Sequence, residues 1–152
     1  MMKKLIVLLV AMCCVAPAMA QNYLSAGDLA TMGEELADNV GPNNAAILDR
    51  VFEDGRHYGA MVHRETGPGF SESHDEWADI YFVTDGRATL VTGGTITNPR
   101  MDSPGEIRGT GITGGTSRQL SKGDIVHIPA TVPHYVIVRE GQDITYFIVK
   151  AQ

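Results

Sequence analysis

The chain has 152 residues, 43% of them hydrophobic, with 12 basic and 18 acidic side chains and a formal net charge of −6. That length fits one domain with a real core. An acidic chain without a basic cluster argues against nucleic acid or an anionic membrane surface as a partner.

Residues 1–20 carry Lys3 and Lys4, an apolar run from Leu5 to about Val15, and Ala18-Met19-Ala20. This is the pattern of a cleaved secretory signal, and the run is short for a membrane span. The expectation is a mature chain that begins at Gln21, lies in the periplasm or is secreted, and has no membrane attachment once the signal is cleaved. Without residues 1–20, which contain no acid, 132 residues remain with 10 basic and 18 acidic side chains, a net of −8. Both cysteines, Cys13 and Cys14, leave with the signal, so the exported fold cannot rest on disulfides.

Residues 21–44 read as an N-terminal helical segment. Ser25 is a suitable N-cap, Leu29, Met32 and Leu36 recur at helical spacing, and Asn39 with Gly41-Pro42 ends the run. Residues 45–152 read as strand. Ala45–Phe52 and His57–Arg64 flank Asp54-Gly55, a hairpin signal, and Ile80–Val83 and Ala88–Val91 flank Asp85-Gly86 as a second hairpin. Between Thr92 and Lys122 the chain turns rich in Gly, Thr, Ser and Pro and reads as one long connection, either a binding loop or a surface excursion. Asp124–Ile128, Tyr135–Val138 and Ile144–Val149 complete an all-β pattern suited to a sandwich or barrel.

Residues two apart on a strand share a face. Glu72 therefore pairs with His74, Asp79 with Tyr81 and Val83, and His134 with Val136 and Val138. His74 and Asp79 are an odd number apart, so they converge only if Asp75–Ala78 bends and puts them on neighbouring strands. Ile80 and Phe82 on one strand, and Tyr135 and Ile137 on another, then form apolar outward faces that need a cover.

These spacings resemble the cupins, small β-barrels whose two motifs send metal ligands into the barrel. The first family motif is His-x-His, then Glu, then Gly seven residues beyond; here His74 stands five before Asp79, and Asp79 seven before Gly86. The second, Gly, five residues, Pro, and a His five further on, is matched by Gly123, Pro129 and His134. The chain departs from the pattern with Glu72 in place of the first His, Asp79 in place of Glu, Thr131 where Gly is usual and Val138 where Asn is often found. The resemblance implies a double-stranded β-helix, or jelly-roll barrel, over residues 45–152, and a homodimer.

His74, Asp79 and His134 carry over as metal ligands, with Glu72 as a conditional fourth. Two imidazoles and a carboxylate suit ferrous iron, a second carboxylate shifts preference toward manganese, and zinc accepts the same donors. Asp79, ionised inside a barrel, needs a compensating charge, and a cation is the simplest one. Glu72 or His63 is the group expected to move a proton on a small-molecule substrate or ligand, in a dioxygenase, isomerase or lyase type of reaction. The alternative is a barrel that binds a small ligand or metal without turnover.

Overall fold

The computed structural model describes residues 23–41 and 44–152; the signal-peptide expectation over residues 1–20 lies outside them. Helix α1 spans Ala26–Ala37 and starts with a capping box: Ser25 Oγ accepts from the Asp28 amide at 3.1 Å, and Ser25 N donates to Asp28 Oδ2 at 2.8 Å. Its buried Gly33 rests against Met61 and Thr145 on the outer face of the sheet.

Strands β1 (Ala45–Glu53) and β2 (His57–Arg64) form the hairpin that the Asp54-Gly55 signal predicts. Next come β3 (Gly67–Pro68), β4 (Ser71–His74) and the long β5 (Ala78–Thr92). The remaining pieces are β6 (Thr95–Thr97), β7 (Arg100–Ser103), β8 (Glu106–Gly109), β9 (Gly111–Thr113), β10 (Thr116–Ser121), β11 (Ile125–Ile128), β12 (His134–Val138) and β13 (Ile144–Ala151). A curled antiparallel sheet runs β1-β2-β13-β5-β12-β4-β8-β7, with β10 and β11 also on β5, β3 on β12, and β6 paired separately with β9. Over the described residues this is an all-β jelly roll preceded by helix α1.

Two sequence expectations need correction. Asp85-Gly86 is not a hairpin turn but a kink inside continuous β5. The N-terminal part of β5 pairs with β13 and β11, and the part beyond the kink pairs with β10 and β12. Gly86 has φ +73°, and a Cβ there would lie 2.4 Å from the Asp143 carbonyl oxygen, so an Asp-Gly pair serves the kink as well as it would a turn. A register shift opposite Thr145/Tyr146 inverts the alternation: Tyr81 and Val83 face inward before it, Ala88 and Leu90 after it. Residues 92–122 are likewise not one loop. They form five short strands, which the Gly and Thr content disguises.

The core lies between the curled halves and is built from single-parity faces. Ile144, Tyr146 and Ile148 of β13, Val136 and Val138 of β12, and Tyr81, Val83 and Leu90 of β5 are all buried. Polar side chains on those same faces must therefore face inward too, and they make the site.

Candidate metal centre

Glu72 and His74 project from one face of β4, and His134 at the start of β12 is the cross-strand partner of Glu72. The bend that sequence parity requires between His74 and Asp79 is present at Asp75-Glu76. Two backbone bonds hold it: Asp75 N donates to the Gly105 carbonyl at 2.8 Å, and Thr131 N donates to the His74 carbonyl at 2.7 Å. Thr131 pays for its place with a φ of +69°, the left-handed region that a β-branched residue rarely occupies. The conformation explains why the related motif favours Gly at that position.

Glu72, His74, Asp79 and His134 converge, each offering one ligand atom, with all four atoms within 4.8 Å of one another. His134 Nε2 lies 3.3 Å from Asp79 Oδ2 and 3.4 Å from Glu72 Oε1, and His74 Nε2 lies 3.6 Å from Asp79 Oδ2. Donors about 2.1 Å from a shared metal are separated by roughly 3 to 4 Å, so these spacings suit first-row divalent ions. His134 Nε2 and Asp79 Oδ2 are buried without a hydrogen-bond partner, and Asp79 Oδ1 meets only the ammonium of Lys150, so the buried carboxylate depends on a nearby cation.

The far side of each ring sets its tautomer. His134 Nδ1 is 3.1 Å from the Val132 carbonyl, which keeps a proton on Nδ1 and turns Nε2 inward. His74 Nδ1 is 2.5 Å from Glu106 Oε2, with the same consequence. Burial disfavours charge on Glu72 and Asp79, but contact with His134 and the charge of Lys150 outweigh it. Glu72, with Arg108 adding its charge, falls to about 2, and Asp79, also contacted by His74, lies far below the usual carboxylate range. Burial also opposes charge on His134, yet the adjacent Asp79 and Glu72 raise it to about 9.

Three residues at this site escaped the sequence reading. Lys150 Nζ is 2.6 Å from His74 Nε2 and forms a 2.6 Å ion pair with Asp79 Oδ1, which lacks the direction of a hydrogen bond. Lys150 is the cross-strand neighbour of Asp79 on β13 and shares the inward parity of Ile144, Tyr146 and Ile148. That parity was the available signal. Glu106 and Arg108 lie opposite His74 and Glu72 on β8, and Arg108 Nη1 donates to Glu72 Oε2 at 2.7 Å. They belong to the Gly-rich stretch, whose pairing no local pattern announces.

No family model matches the chain, and no curated protein matches it. Solved structures do. The polyketide cyclase RemF from Streptomyces resistomycificus superposes with a TM-score of 0.51 at 16% identity, over 71% of this chain and 65% of its own. Recombinant oxalate oxidase in complex with glycolate gives 0.53 at 16%, over 74% and 53%. A cupin-like protein from Thermotoga maritima gives 0.52 at 19%, over 71% and 68%. The chain has the cupin fold. The chain spans just under two-thirds of the RemF cyclase and about half of the oxalate oxidase.

The cupin barrel does not bring His63 to the cluster. His63 has the outward parity of β2 and is buried beneath α1, with Nδ1 2.8 Å from Thr145 Oγ1. It lines a cleft of about 550 Å³ between α1 and the sheet, to which none of the four ligand residues contributes. His57 pairs with Asp54 in the hairpin turn, and His127 is exposed. Trp77 packs edge-on against Tyr58, with centroids 5.2 Å apart, while Tyr81 stacks on Tyr146 at 4.9 Å and edges His134 at 6.3 Å.

Proposed function

We propose that this cupin is an exported protein that holds a divalent iron, manganese or zinc ion through His74, His134, Asp79 and Glu72 and acts on a small organic molecule. The convergence of four ligand atoms within 4.8 Å of one another at a buried point carries this reading. A bound ion would supply Lewis acidity or a place to activate water or dioxygen. Glu106 and the Val132 carbonyl orient the two imidazoles, and Arg108 anchors one Glu72 oxygen while the other faces His134. Glu72 offers its second oxygen to the same point as the two imidazoles, so it is placed either to bind the ion or to take a proton beside it. With His63 on the other face of the sheet, it has no proton to move at this centre.

A cleft of about 280 Å³, lined by Asp75, Glu76, Trp77, Pro104, Gly105 and Glu106, borders the residue that braces His74 and supports entry of a small molecule there. The donor set suits oxidation, isomerisation and elimination alike. Lys150 favours a second reading, a barrel that binds a ligand without turnover, because an ammonium already offsets part of the buried negative charge.

Metal analysis of a periplasmic preparation tests the first reading. Stoichiometric metal in the wild type and none in Asp79→Ala is the expected result; no metal after growth with iron, manganese or zinc overturns it. Oxygen uptake with candidate substrates then separates enzyme from binder. N-terminal sequencing of the exported protein should begin at Gln21. On the outer face, the exposed Phe82 and Ile125 are cross-strand partners beyond the cover of α1, which supports a second copy of the chain as their partner.

A further inference from the structure

Lys150 is in the wrong place for a bystander. Its ammonium is 2.6 Å from His74 Nε2 and 2.6 Å from Asp79 Oδ1, two of the four residues that would hold the ion. With its Nδ1 proton directed at Glu106, His74 has one lone pair, in the ring plane at Nε2. That lone pair can accept from an ammonium or bind a metal, and it cannot do both. The Lys150 side chain is 11% exposed and sits beside an Asp79 that is 1% exposed, so the contact is buried rather than a surface encounter.

We propose, resting on the metal reading above, that Lys150 is a tethered counter-cation that competes with the metal for His74 and Asp79. In the metal-free protein the ammonium bridges the two residues and neutralises the buried aspartate. On loading, Lys150 withdraws from Nε2 along its flexible stem, and the ion takes over the charge compensation. Affinity is then scaled by the fraction of molecules in which Lys150 has withdrawn. Because the competitor is part of the chain, the scaling is the same for every divalent ion. The order of preference among metals stays with the donors, while the threshold concentration for loading is set by Lys150.

The test is a calorimetric titration of zinc and of manganese into the chelator-stripped intact protein, comparing wild type with Lys150→Met, which keeps the length and removes the charge. Competition predicts binding at least about tenfold tighter in the variant, by the same factor for both ions. Equal affinities overturn this proposal while leaving the metal reading intact. Absence of binding in both proteins overturns the metal reading, and this one with it. Should Lys150→Met fail to fold, acetic anhydride labelling of the wild type, read by mass spectrometry, decides the matter. Lys150 should be protected in the stripped protein and modified once zinc saturates the site; identical labelling in the two states overturns the competition.

Discussion

His63 and His134 are both buried, at 5% and 2% exposure, and both have Nδ1 tied down, by Thr145 in one case and by the Val132 carbonyl in the other. His63 faces a helix across a cleft whose acidic residues, Glu34, Asp85 and Asp143, form no ion pair with it, whereas His134 Nε2 lies within 3.4 Å of both Glu72 and Asp79. Burial and an anchored Nδ1 therefore do not make a metal ligand. What separates the two is which side of a strand they occupy, and whether acidic side chains from other strands reach the same point.

The largest test of that contrast is metal content. His134→Ala should abolish stoichiometric binding, measured by elemental mass spectrometry, and His63→Ala should leave it unchanged; a loss in both would erase the distinction. Next comes the charge balance on the His134 side. Removing Lys150 as Lys150→Met leaves Asp79 short of its buried partner and should cost the metal-free protein about 3 kcal/mol in urea unfolding. A saturating divalent ion should restore most of that loss. A cost well under 1 kcal/mol would show that Lys150 does not compensate Asp79.

A third test uses pH. His134, raised to about 9 by Asp79 and Glu72, stabilises the metal-free fold through its charged form. That contribution is complete below about 6.5 and is lost as pH rises through about 9. Metal must displace the same proton, so zinc affinity should rise about tenfold per pH unit as pH approaches 9. Equal zinc affinity at pH 7 and pH 8 would place the proton elsewhere. The smallest effect concerns the brace on His74. Thr131→Gly relieves the φ of +69° and should raise stability by about 1 kcal/mol in thermal or denaturant unfolding, with the metal content of the wild type. A loss of stability would mean that the Thr131 side chain makes up for its backbone strain.

Much of the cupin scaffold was legible from residues 23–152. Ser25 and the Leu29-Met32-Leu36 spacing marked the helix, Asp54-Gly55 the first hairpin, and strand parity the inward direction of His74, Asp79 and His134. The parity argument also showed that the turn between His74 and Asp79 had to bend, and it does. Asp85-Gly86 misled because a glycine with positive φ serves a strand kink as readily as a hairpin turn, and only the pairing of β5 with β13 and β10 tells them apart. His63 misled for a related reason: a strand carries two faces, and which one meets the barrel interior depends on its neighbours.

Local pattern, then, determined the helix, most strands, and which residue types could share a face, because those depend on spacing along the chain. Tertiary structure alone decided that Lys150 would sit across from Asp79 and that Glu106 and Arg108 would brace His74 and Glu72. Such contacts depend on the register between strands far apart in the sequence, and register is set by the summed packing of both sheet halves rather than by any residue's own preference.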